Sequence, residues 1–319
     1  MGARVFIDGE AGTTGLQIRA RLARRRDLEL LSIPDRDRKD PNARADHLNR
    51  ADVAILCLPD DAAREAAALV ADGSTRLIDA STAHRTADGW VYGFPEMTPL
   101  QPARIAAARF VANPGCYPTG FIGLVRPLIE AGLVPADFPL TINAVSGYSG
   151  GGRKMMEAYE ADSDPVDDPI RPYGLTLQHK HVPEMTFHAG LAHAPLFQPS
   201  VGNYAQGMID MIPLQTWAMP GAPTAAQIHD VLKTHYQGSA FVSVAGLQEA
   251  AALPHLSAEA LNDTNAMRLY VFANEDRQQV QLAAVYDNLG KGASGAAVQN
   301  MNIMLGCDET EGLVAAAAA

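Results

Sequence analysis

The first 115 residues alternate short apolar runs with helical runs, and this rhythm constrains the fold more than any other feature of the chain. The predicted strands in this part are residues 4–8, 28–33, 51–58 and 76–79. Helical spacing is found at residues 14–26 and in the alanine-rich stretch at residues 60–71. The near-continuous apolar run at 51–58 is typical of a parallel strand buried on both faces. The pattern predicts an α/β fold of βαβ units with a doubly wound, mostly parallel sheet.

The pattern changes after Cys116, where a predicted helix at residues 119–131 is followed by longer strands. These strands are predicted at residues 140–145, 241–247, 266–273 and 280–286, between loops rich in Gly and Pro. We expect an α+β domain on a mixed or antiparallel sheet. A last helix is predicted at residues 293–305.

Composition excludes several classes of protein. The chain has 319 residues, a formal charge of −11 and 47% hydrophobic residues, and no apolar run approaches the length of a membrane span. An acidic chain argues against a nucleic-acid surface. Three widely spaced cysteines without a CxxC pair favour a reducing compartment over a disulfide framework. Because the first strand starts near Arg4, we expect no signal peptide, and together with the charge and the cysteines this predicts a cytoplasmic protein that contacts neither membrane nor nucleic acid.

A glycine-rich turn joins the first strand to the first helix. Gly9, Gly12 and Gly15 have GxxGxxG spacing, and Thr13 and Thr14 lie between the last two glycines. Such a turn lets backbone N–H groups approach a pyrophosphate at the helix N-terminus, where the helix dipole favours anions. The spacing is less specific than GxGxxG, so a plain tight turn is the alternative. In this strand–helix setting we favour dinucleotide binding.

The segment after the second strand bears on which dinucleotide is bound. Ser32, Arg36 and Arg38 offer a hydroxyl and two cations there, followed by Lys39, a combination that suits a 2′-phosphate and favours NADP. Asp35 keeps NAD open, and a solvated charged loop is a third interpretation. The arginines at residues 19–26 are interpreted as a solvated helix face.

Cys116 is the candidate nucleophile among the three cysteines. It follows Asn113-Pro114-Gly115 and directly precedes the predicted helix, where the helix dipole and N–H groups stabilise a thiolate and could hold an oxyanion. Cys57 is predicted in the middle of a buried strand, where a cysteine acts as a small apolar residue. Cys307 ends the last helix without activating neighbours.

Histidines supply the candidate base. His179 and His181 form the one tight cluster, and His188 and His193 follow. Four histidines allow a zinc site, but no cysteine or carboxylate pair completes it, so we expect no metal and favour a His–Cys pair.

These motifs resemble a known family. Five segments carry the resemblance: GEAGTTG at 9–15, NPGCYPT at 113–119, SGYSGGGR at 146–153, HKHVPE at 179–184 and KGASG at 291–295. They occur in this order in the N-acetyl-γ-glutamyl-phosphate reductases, and the chain is most similar to the shorter type. The resemblance implies a Rossmann domain at 1–115 and 290–319, to which the last helix returns. It implies a catalytic and dimerisation domain at 116–289.

The resemblance also implies site residues and a reaction. Cys116 matches the nucleophile, and His181 is ranked before His179 as acid/base. The segment from Ser294 to Asn300 matches the part that lies against the nicotinamide end of NADP. The thiolate would attack the γ-acyl phosphate, and the thioester would be reduced by NADPH to N-acetyl-glutamate semialdehyde.

Cations and N–H donors are needed for the phosphate and carboxylate of this substrate. The candidates are Arg85, and Ser149, Gly150 and Arg153 in a glycine-rich loop, with ordinary turns carrying exposed cations as the alternative interpretation. The resemblance also implies a homodimer or homotetramer.

Two other functions stay open at this stage. Aspartate-semialdehyde dehydrogenase shares the fold, the cofactor and the thioester chemistry, although its substrate carries a free amine. A non-catalytic NADP-binding sensor would keep the fold without thiol reactivity.

Overall fold

The structure is a computed structural model that describes residues 2–38, 40–70 and 75–315. It forms two compact units. The first comprises the chain up to Gly115 together with Ala293–Leu313, and the second comprises Cys116–Gly292 with Val314.

A six-stranded parallel sheet forms the centre of the first unit. Its strands are β1 (Ala3–Asp8), β2 (Leu28–Leu31), β3 (Val53–Leu56), β4 (Arg76–Asp79), β5 (Val91–Tyr92) and β6 (Phe110–Ala112). Its helices are α1 (Thr13–Leu22), α2 (Pro41–Arg50), α3 (Asp60–Leu69), α4 (Gln101–Ala107) and, near the end of the chain, α10 (Gly295–Leu305). The strand order is β2-β1-β3-β4-β6-β5, so the order reverses between β1 and β3. Ligands of doubly wound sheets bind beyond the carboxyl ends of the strands at such a reversal.

Alternate residues of the strands fill two cores. Val5 and Ile7 of β1 face one side of the sheet, where they pack with Ile18 of α1 and Met301 of α10. Phe6 faces the other side, in the core that includes residues of α2 and α3. This two-sided burial confirms the predicted doubly wound α/β fold.

The second unit is built on a seven-stranded mixed sheet. Its strands are β7 (Thr141–Gly147), β8 (Ile170–Pro172), β9 (Leu196–Gly202), β10 (Met208–Gln215), β11 (Val242–Val244), β12 (Met267–Asn274) and β13 (Gln279–Tyr286), in the order β11-β12-β13-β10-β7-β9-β8. Its helices are α5 (Cys116–Glu130), α6 (Arg153–Tyr159), α7 (Val182–Ala189), α8 (Ala225–His235) and α9 (Leu247–Ala252). Helices α5 and α8 pack against the sheet, and α7 packs against α5. The mixed sheet is as expected.

Several predicted elements differ from those observed. Strands β9 and β10 were not predicted, because Pro199 and Pro213 interrupt their apolar patterns. The strand predicted at 241–247 is short, since Gly246 ends the extended run and begins helix α9. Cys57 was predicted within a strand but follows the end of β3 at Leu56. The last helix begins with a π turn at Gly290–Ser294 before α10.

No helix in the described part of the chain is long and apolar enough to cross a membrane.

Candidate active site

The glycine turn after β1 contains three glycines with different roles. Gly9 has φ +89°, and a Cβ atom there would lie 2.3 Å from the carbonyl oxygen of Cys57. A Cβ atom at Gly15 would lie 2.5 Å from the oxygen of Gly9, so both positions require glycine for packing. Gly12 has an ordinary φ of −77°, and the nearest atom to its Cβ position is 3.5 Å away. Packing within the unit therefore does not require glycine at position 12. A ligand that approaches the backbone closely would require it.

The turn also exposes the N-terminus of helix α1. Gly12 is the N-cap and has no side chain that could accept a hydrogen bond from the first turn. Thr13 and Thr14 are the first two helical residues, and both are partly exposed. Their backbone N–H groups suit an anion such as a pyrophosphate.

A cavity of about 330 Å³ opens beside this turn. Its lining residues are Ile7, Asp8, Gly9, Glu10, Ala11, Ile33, Arg38, Arg44 and Leu58. Arg38 Nη2 lies 3.1 Å from Glu10 Oε1, and Arg44 Nη2 lies 2.8 Å from Asp8 Oδ2. The cavity thus combines an apolar wall with two guanidinium groups, each of them paired with a carboxylate that also lines the cavity.

Arg19 joins Glu10 and Ser32 at the same place. Its Nη1 donates to Ser32 Oγ over 3.1 Å and forms an ion pair with Glu10. Sequence reasoning had placed Arg19 on a solvated face and had passed over Arg44. The available signal was spacing, because Arg19 lies two turns into the helix that starts at the glycine turn.

Other charged residues near the second strand have separate positions. The side chain of Arg36 is largely exposed and pairs with Asp37 over 3.4 Å, and Arg36 does not line the cavity. The side chain of Asp35 and the whole of Lys39 lie outside the described residues. Arg25 is buried and pairs with Asp27 over 2.5 Å, so interpreting the arginines at 19–26 as a solvated face was wrong for Arg25, whereas the side chain of Arg19 is 45% exposed.

Arg85 and Asn113 hold the loop that leads to the cysteine motif. Arg85 is buried, and its Nε donates to the carbonyl oxygen of Asn113 over 3.0 Å. The side chain of Asn113 donates to the carbonyl of Ala293 and accepts from Asn300, at 3.0 and 3.1 Å. Ser294 is buried, and its hydroxyl accepts from Arg21 over 3.3 Å. Sequence reasoning assigned no role to Asn113 itself, and Asn300 entered the prediction only as the end of the segment from Ser294 to Asn300.

Cys116 is the first residue of helix α5, so its thiol lies at a helix N-terminus. A Cβ atom at Gly292 would lie 3.1 Å from Cys116 Cβ, so glycine allows this segment to pack directly against the cysteine. Burial raises the pKa of Tyr173 to about 12, and the charge of Cys116 adds to that rise. At Cys57, burial raises the pKa to about 12 and keeps the side chain a thiol.

The predicted histidines lie around Tyr117, the residue after the cysteine. The rings of His181 and His179 lie 5.9 and 6.2 Å from the Tyr117 ring, and the two imidazoles are 4.8 Å apart. His181 is buried and immediately precedes helix α7, which packs against α5. The structure therefore brings both histidines and the start of α5 into one aromatic cluster.

The two histidines differ in their surroundings. Burial, together with the charge of Lys180, lowers the pKa of His179 to about 4. His179 Nδ1 accepts from the backbone N–H of His181 over 3.2 Å, and its Nε2 lies 3.5 Å from the hydroxyl of Tyr173. Above pH 5, His179 is therefore a neutral ring with its proton on Nε2.

The loop with Ser149, Gly150 and Arg153 combines buried and exposed parts. Ser149 is buried and accepts a hydrogen bond from Asn288 over 2.9 Å. A Cβ atom at Gly150 would lie 3.0 Å from Ser146 Oγ. The side chain of Arg153 is exposed and pairs with Glu157 over 2.9 Å along helix α6.

Metal-ligating side chains do not cluster in the described ranges. Across residues 2–38, 40–70 and 75–315, no three His, Cys, Asp or Glu side chains come together as a metal site would require.

Comparison with protein families matches both units. Residues 4–105 match the semialdehyde dehydrogenase NAD-binding domain, and residues 116–288 match the semialdehyde dehydrogenase dimerisation domain. Among solved structures, aspartate semialdehyde dehydrogenase II from Vibrio cholerae, complexed with ASA, is similar with a TM-score of 0.70 at 15% identity. That match covers 96% of this chain and 98% of the other. The enzyme from Candida albicans with NADP gives a TM-score of 0.68 at 13% identity, over 95% and 98% of the two chains. At these identities the likeness shows the fold.

Sequence relatives are much closer. An N-acetyl-gamma-glutamyl-phosphate reductase of Chelativorans is 60% identical over 96% of this chain and 99% of its own length. The enzymes of that name from Mesorhizobium japonicum and Burkholderia cenocepacia are each 56% identical. These matches cover 96% and 95% of this chain, and 100% and 97% of the relatives. The chain therefore belongs to the N-acetyl-gamma-glutamyl-phosphate reductases, within the semialdehyde dehydrogenase family.

Proposed function

We propose that this protein reduces N-acetyl-γ-glutamyl phosphate to N-acetyl-glutamate 5-semialdehyde with NADPH, a step of arginine biosynthesis, through a thioester on Cys116. The observation that carries the proposal is the position of Cys116 at the start of helix α5, beside a Tyr117–His179–His181 cluster. A helix N-terminus favours the thiolate, which is the nucleophilic form. Relatives of this name at 54–60% identity support the same substrate.

The chain's own residues act in the attack on the substrate, in the stabilisation of the oxyanion and in the proton transfer. The Cys116 thiolate attacks the acyl carbon, and phosphate leaves as the thioester forms. Bound NADPH supplies the hydride that reduces this thioester. N–H groups at the start of α5 stabilise the oxyanion, and collapse of the resulting thiohemiacetal releases the aldehyde and the thiol.

We assign the proton transfer to His181. The low pKa of His179 leaves that ring uncharged near neutral pH, which disfavours it as the acid. His179 instead supports the backbone of His181 by accepting its N–H.

For the cofactor, the glycine turn and the cavity beside it suit NADP. The N–H groups of Thr13 and Thr14 would hold the pyrophosphate, and Arg38, Arg19 and Ser32 would meet the 2′-phosphate. Arg36 is a weaker candidate because it is exposed and paired with Asp37.

For the substrate phosphate and carboxylate, the proposed residues are Arg85, Ser149, Gly150 and Arg153. The side chain of Arg153 is exposed and accessible to a ligand, and its ion-pair partner Glu157 is exposed as well. Arg85 and Ser149 would act through the loops that they hold.

We also propose a homodimer or homotetramer in the cytoplasm. An apolar cavity of about 420 Å³ is lined by residues that include Ile170, Leu175 and Leu177, and these three side chains are exposed. A second copy of the chain would cover this surface. A thiol enzyme also needs a reducing compartment, and no disulfide joins Cys57, Cys116 or Cys307 within the described residues.

The test is an assay in the phosphorolytic direction with NADP⁺ and phosphate. N-acetyl-glutamate semialdehyde and aspartate semialdehyde are offered in turn. We expect turnover of the first, and turnover of aspartate semialdehyde alone would overturn the proposal. Cys116→Ser should lose turnover and keep NADPH binding, whereas a binding sensor would show no turnover in the wild type.

A further inference from the structure

A fully buried carboxyl group lies beneath the nucleophile helix. Asp210, in the middle of β10, is 0% exposed, and its neighbours on the same side of the strand are Met208 and Ile212. Its Oδ2 lies 2.7 Å from the hydroxyl of Tyr286 on β13, and its Oδ1 has no hydrogen-bond partner among the described residues. Burial raises the pKa of Asp210 well above its usual range. Complete burial of a carboxyl group whose Oδ1 has no partner among the described residues favours the neutral carboxylic acid.

Tyr286 connects this acid to the backbone of the nucleophile. Its hydroxyl lies 2.6 Å from the carbonyl oxygen of Cys116 and accepts from the N–H of Gly120 over 3.1 Å. Cys116 and Gly120 are spaced i and i+4 in the first turns of helix α5, as the partners of a helical hydrogen bond are. The tyrosine hydroxyl thus bridges the first turn of the helix that starts at the nucleophile.

Counting protons gives the direction of each hydrogen bond. Tyr286 has one hydroxyl proton, and both neighbouring oxygens, of Asp210 and of Cys116, lie within hydrogen-bond distance. A carboxylate at Asp210 would compete with the Cys116 carbonyl for that proton. A neutral Asp210 donates its own proton to Tyr286, which then donates to the Cys116 carbonyl, so both interactions form together.

Gly120 makes this arrangement possible. A Cβ atom there would lie 2.3 Å from Asp210 Oδ2 and 2.7 Å from the Tyr286 hydroxyl. Gly120 is buried inside a helix, where glycine costs stability relative to alanine. The close approach of the acid and the phenol accounts for a glycine at this position.

We propose that Tyr286 and Asp210 are positioning residues for Cys116. They fix the first turn of α5 to β10 and β13, so that its N–H groups stay directed at the thiol and at the oxyanion formed there. This inference rests on the proposed role of Cys116 as the nucleophile. A shift of about 1 Å at the nucleophile can cost roughly a hundredfold in rate, so the anchor acts on turnover more than on ground-state binding.

The chain offers a matched control. The hydroxyl of Tyr236 is also buried and donates to a carbonyl of the same helix, that of Gly123, over 2.7 Å. Tyr286→Phe and Tyr236→Phe each delete one hydroxyl-to-carbonyl hydrogen bond of α5, at Cys116 and at Gly123. Tyr286→Phe also removes the hydroxyl that accepts from Gly120 and contacts Asp210.

The experiment compares kcat, KM and the rate of Cys116 alkylation by iodoacetamide in the two variants. We expect Tyr286→Phe to lower kcat and the alkylation rate by about tenfold, with NADPH affinity unchanged. We expect Tyr236→Phe to stay within about twofold of the wild type. Wild-type rates in Tyr286→Phe, or an equal loss in Tyr236→Phe, would overturn the proposal.

A second pair of variants, at Asp210, tests whether the neutral acid donates to Tyr286. This pair also replaces the first experiment if Tyr286→Phe does not fold. The amide of Asp210→Asn can still donate to Tyr286, and this variant should keep at least about a third of kcat, whereas Asp210→Leu should lose about tenfold. An equally large loss in both would overturn the donor role. If the wild type does not turn over N-acetyl-glutamate semialdehyde while Cys116 alkylation still depends on Tyr286, the proposed function fails and the positioning role stands.

Discussion

Substitution of two glycines in the same turn by alanine separates packing from cofactor binding. At Gly9, alanine would adopt φ +89° and place its Cβ atom 2.3 Å from the Cys57 carbonyl. A left-handed residue costs about 1–2 kcal/mol and overpacking about 1–3 kcal/mol, so Gly9→Ala should lose about 2–5 kcal/mol of unfolding free energy.

Alanine at position 12 should behave in the opposite way. Its backbone angles are ordinary, and no atom lies within 3.5 Å of the added Cβ. We expect the unfolding free energy of Gly12→Ala to stay within about 1 kcal/mol of the wild type. The methyl group would stand where the pyrophosphate approaches, so the Kd for NADPH should rise about tenfold to a hundredfold.

Urea denaturation followed by circular dichroism measures the free energy of unfolding, and fluorescence titration with NADPH measures the Kd for NADPH. Gly9→Ala is the control for the NADPH titration, because it shows how much NADPH affinity is lost when the fold itself is destabilised. Wild-type NADPH affinity in Gly12→Ala would refute the assignment of this turn to the pyrophosphate. A loss of stability in Gly12→Ala equal to that in Gly9→Ala would refute the packing argument.

Four further predictions concern the second unit and the cysteines. His181→Asn should lower kcat about a hundredfold or more, whereas His179→Asn should cost less, as steady-state kinetics would measure. Because the pKa of His179 falls from 6.5 to about 4 on folding, its contribution to stability is complete above pH 6.5 and is lost as the pH falls towards 4. His179→Asn should therefore flatten the dependence of unfolding free energy on pH in that window. Iodoacetamide at pH 8 should label Cys116 and spare Cys57, whose pKa is about 12, and peptide mapping would detect labelling of both. Leu177→Asp should shift the oligomer towards monomer in light scattering, with wild-type mass contradicting the proposed interface.

Local sequence patterns carried the prediction of the fold class. Apolar strands followed by capped helices identify βαβ units, because burial on both faces requires a continuous apolar run, as at Val53–Leu56. Strands β9 and β10 were not predicted because prolines interrupt their apolar patterns. Their pairing with β7 depends on residues that are distant in the chain. The local pattern could not predict that these strands complete the sheet.

Within the candidate site, residues that act through neighbours in the chain were easier to find than those that act through distant contacts. The glycine turn and the cysteine before a helix are continuous motifs. The bridge from Asp210 through Tyr286 to Cys116 joins three distant segments, and it exists only in the register that pairs Asp210 with Ala284. Arg25 was misjudged for the same reason, since its partner Asn302 lies on helix α10, far along the chain.

The central claim is that Cys116 carries the acyl group, and single-turnover trapping tests it most directly. The wild-type enzyme is mixed with NADP⁺ and N-acetyl-glutamate semialdehyde without phosphate, so that oxidation forms the thioester and no phosphate is present to release it. We predict a burst of about one NADPH per active site and an acyl adduct on the peptide that contains Cys116. Cys116→Ser should show neither. A full burst in Cys116→Ser, or an adduct on Cys57 or Cys307 in the wild type, would contradict the account.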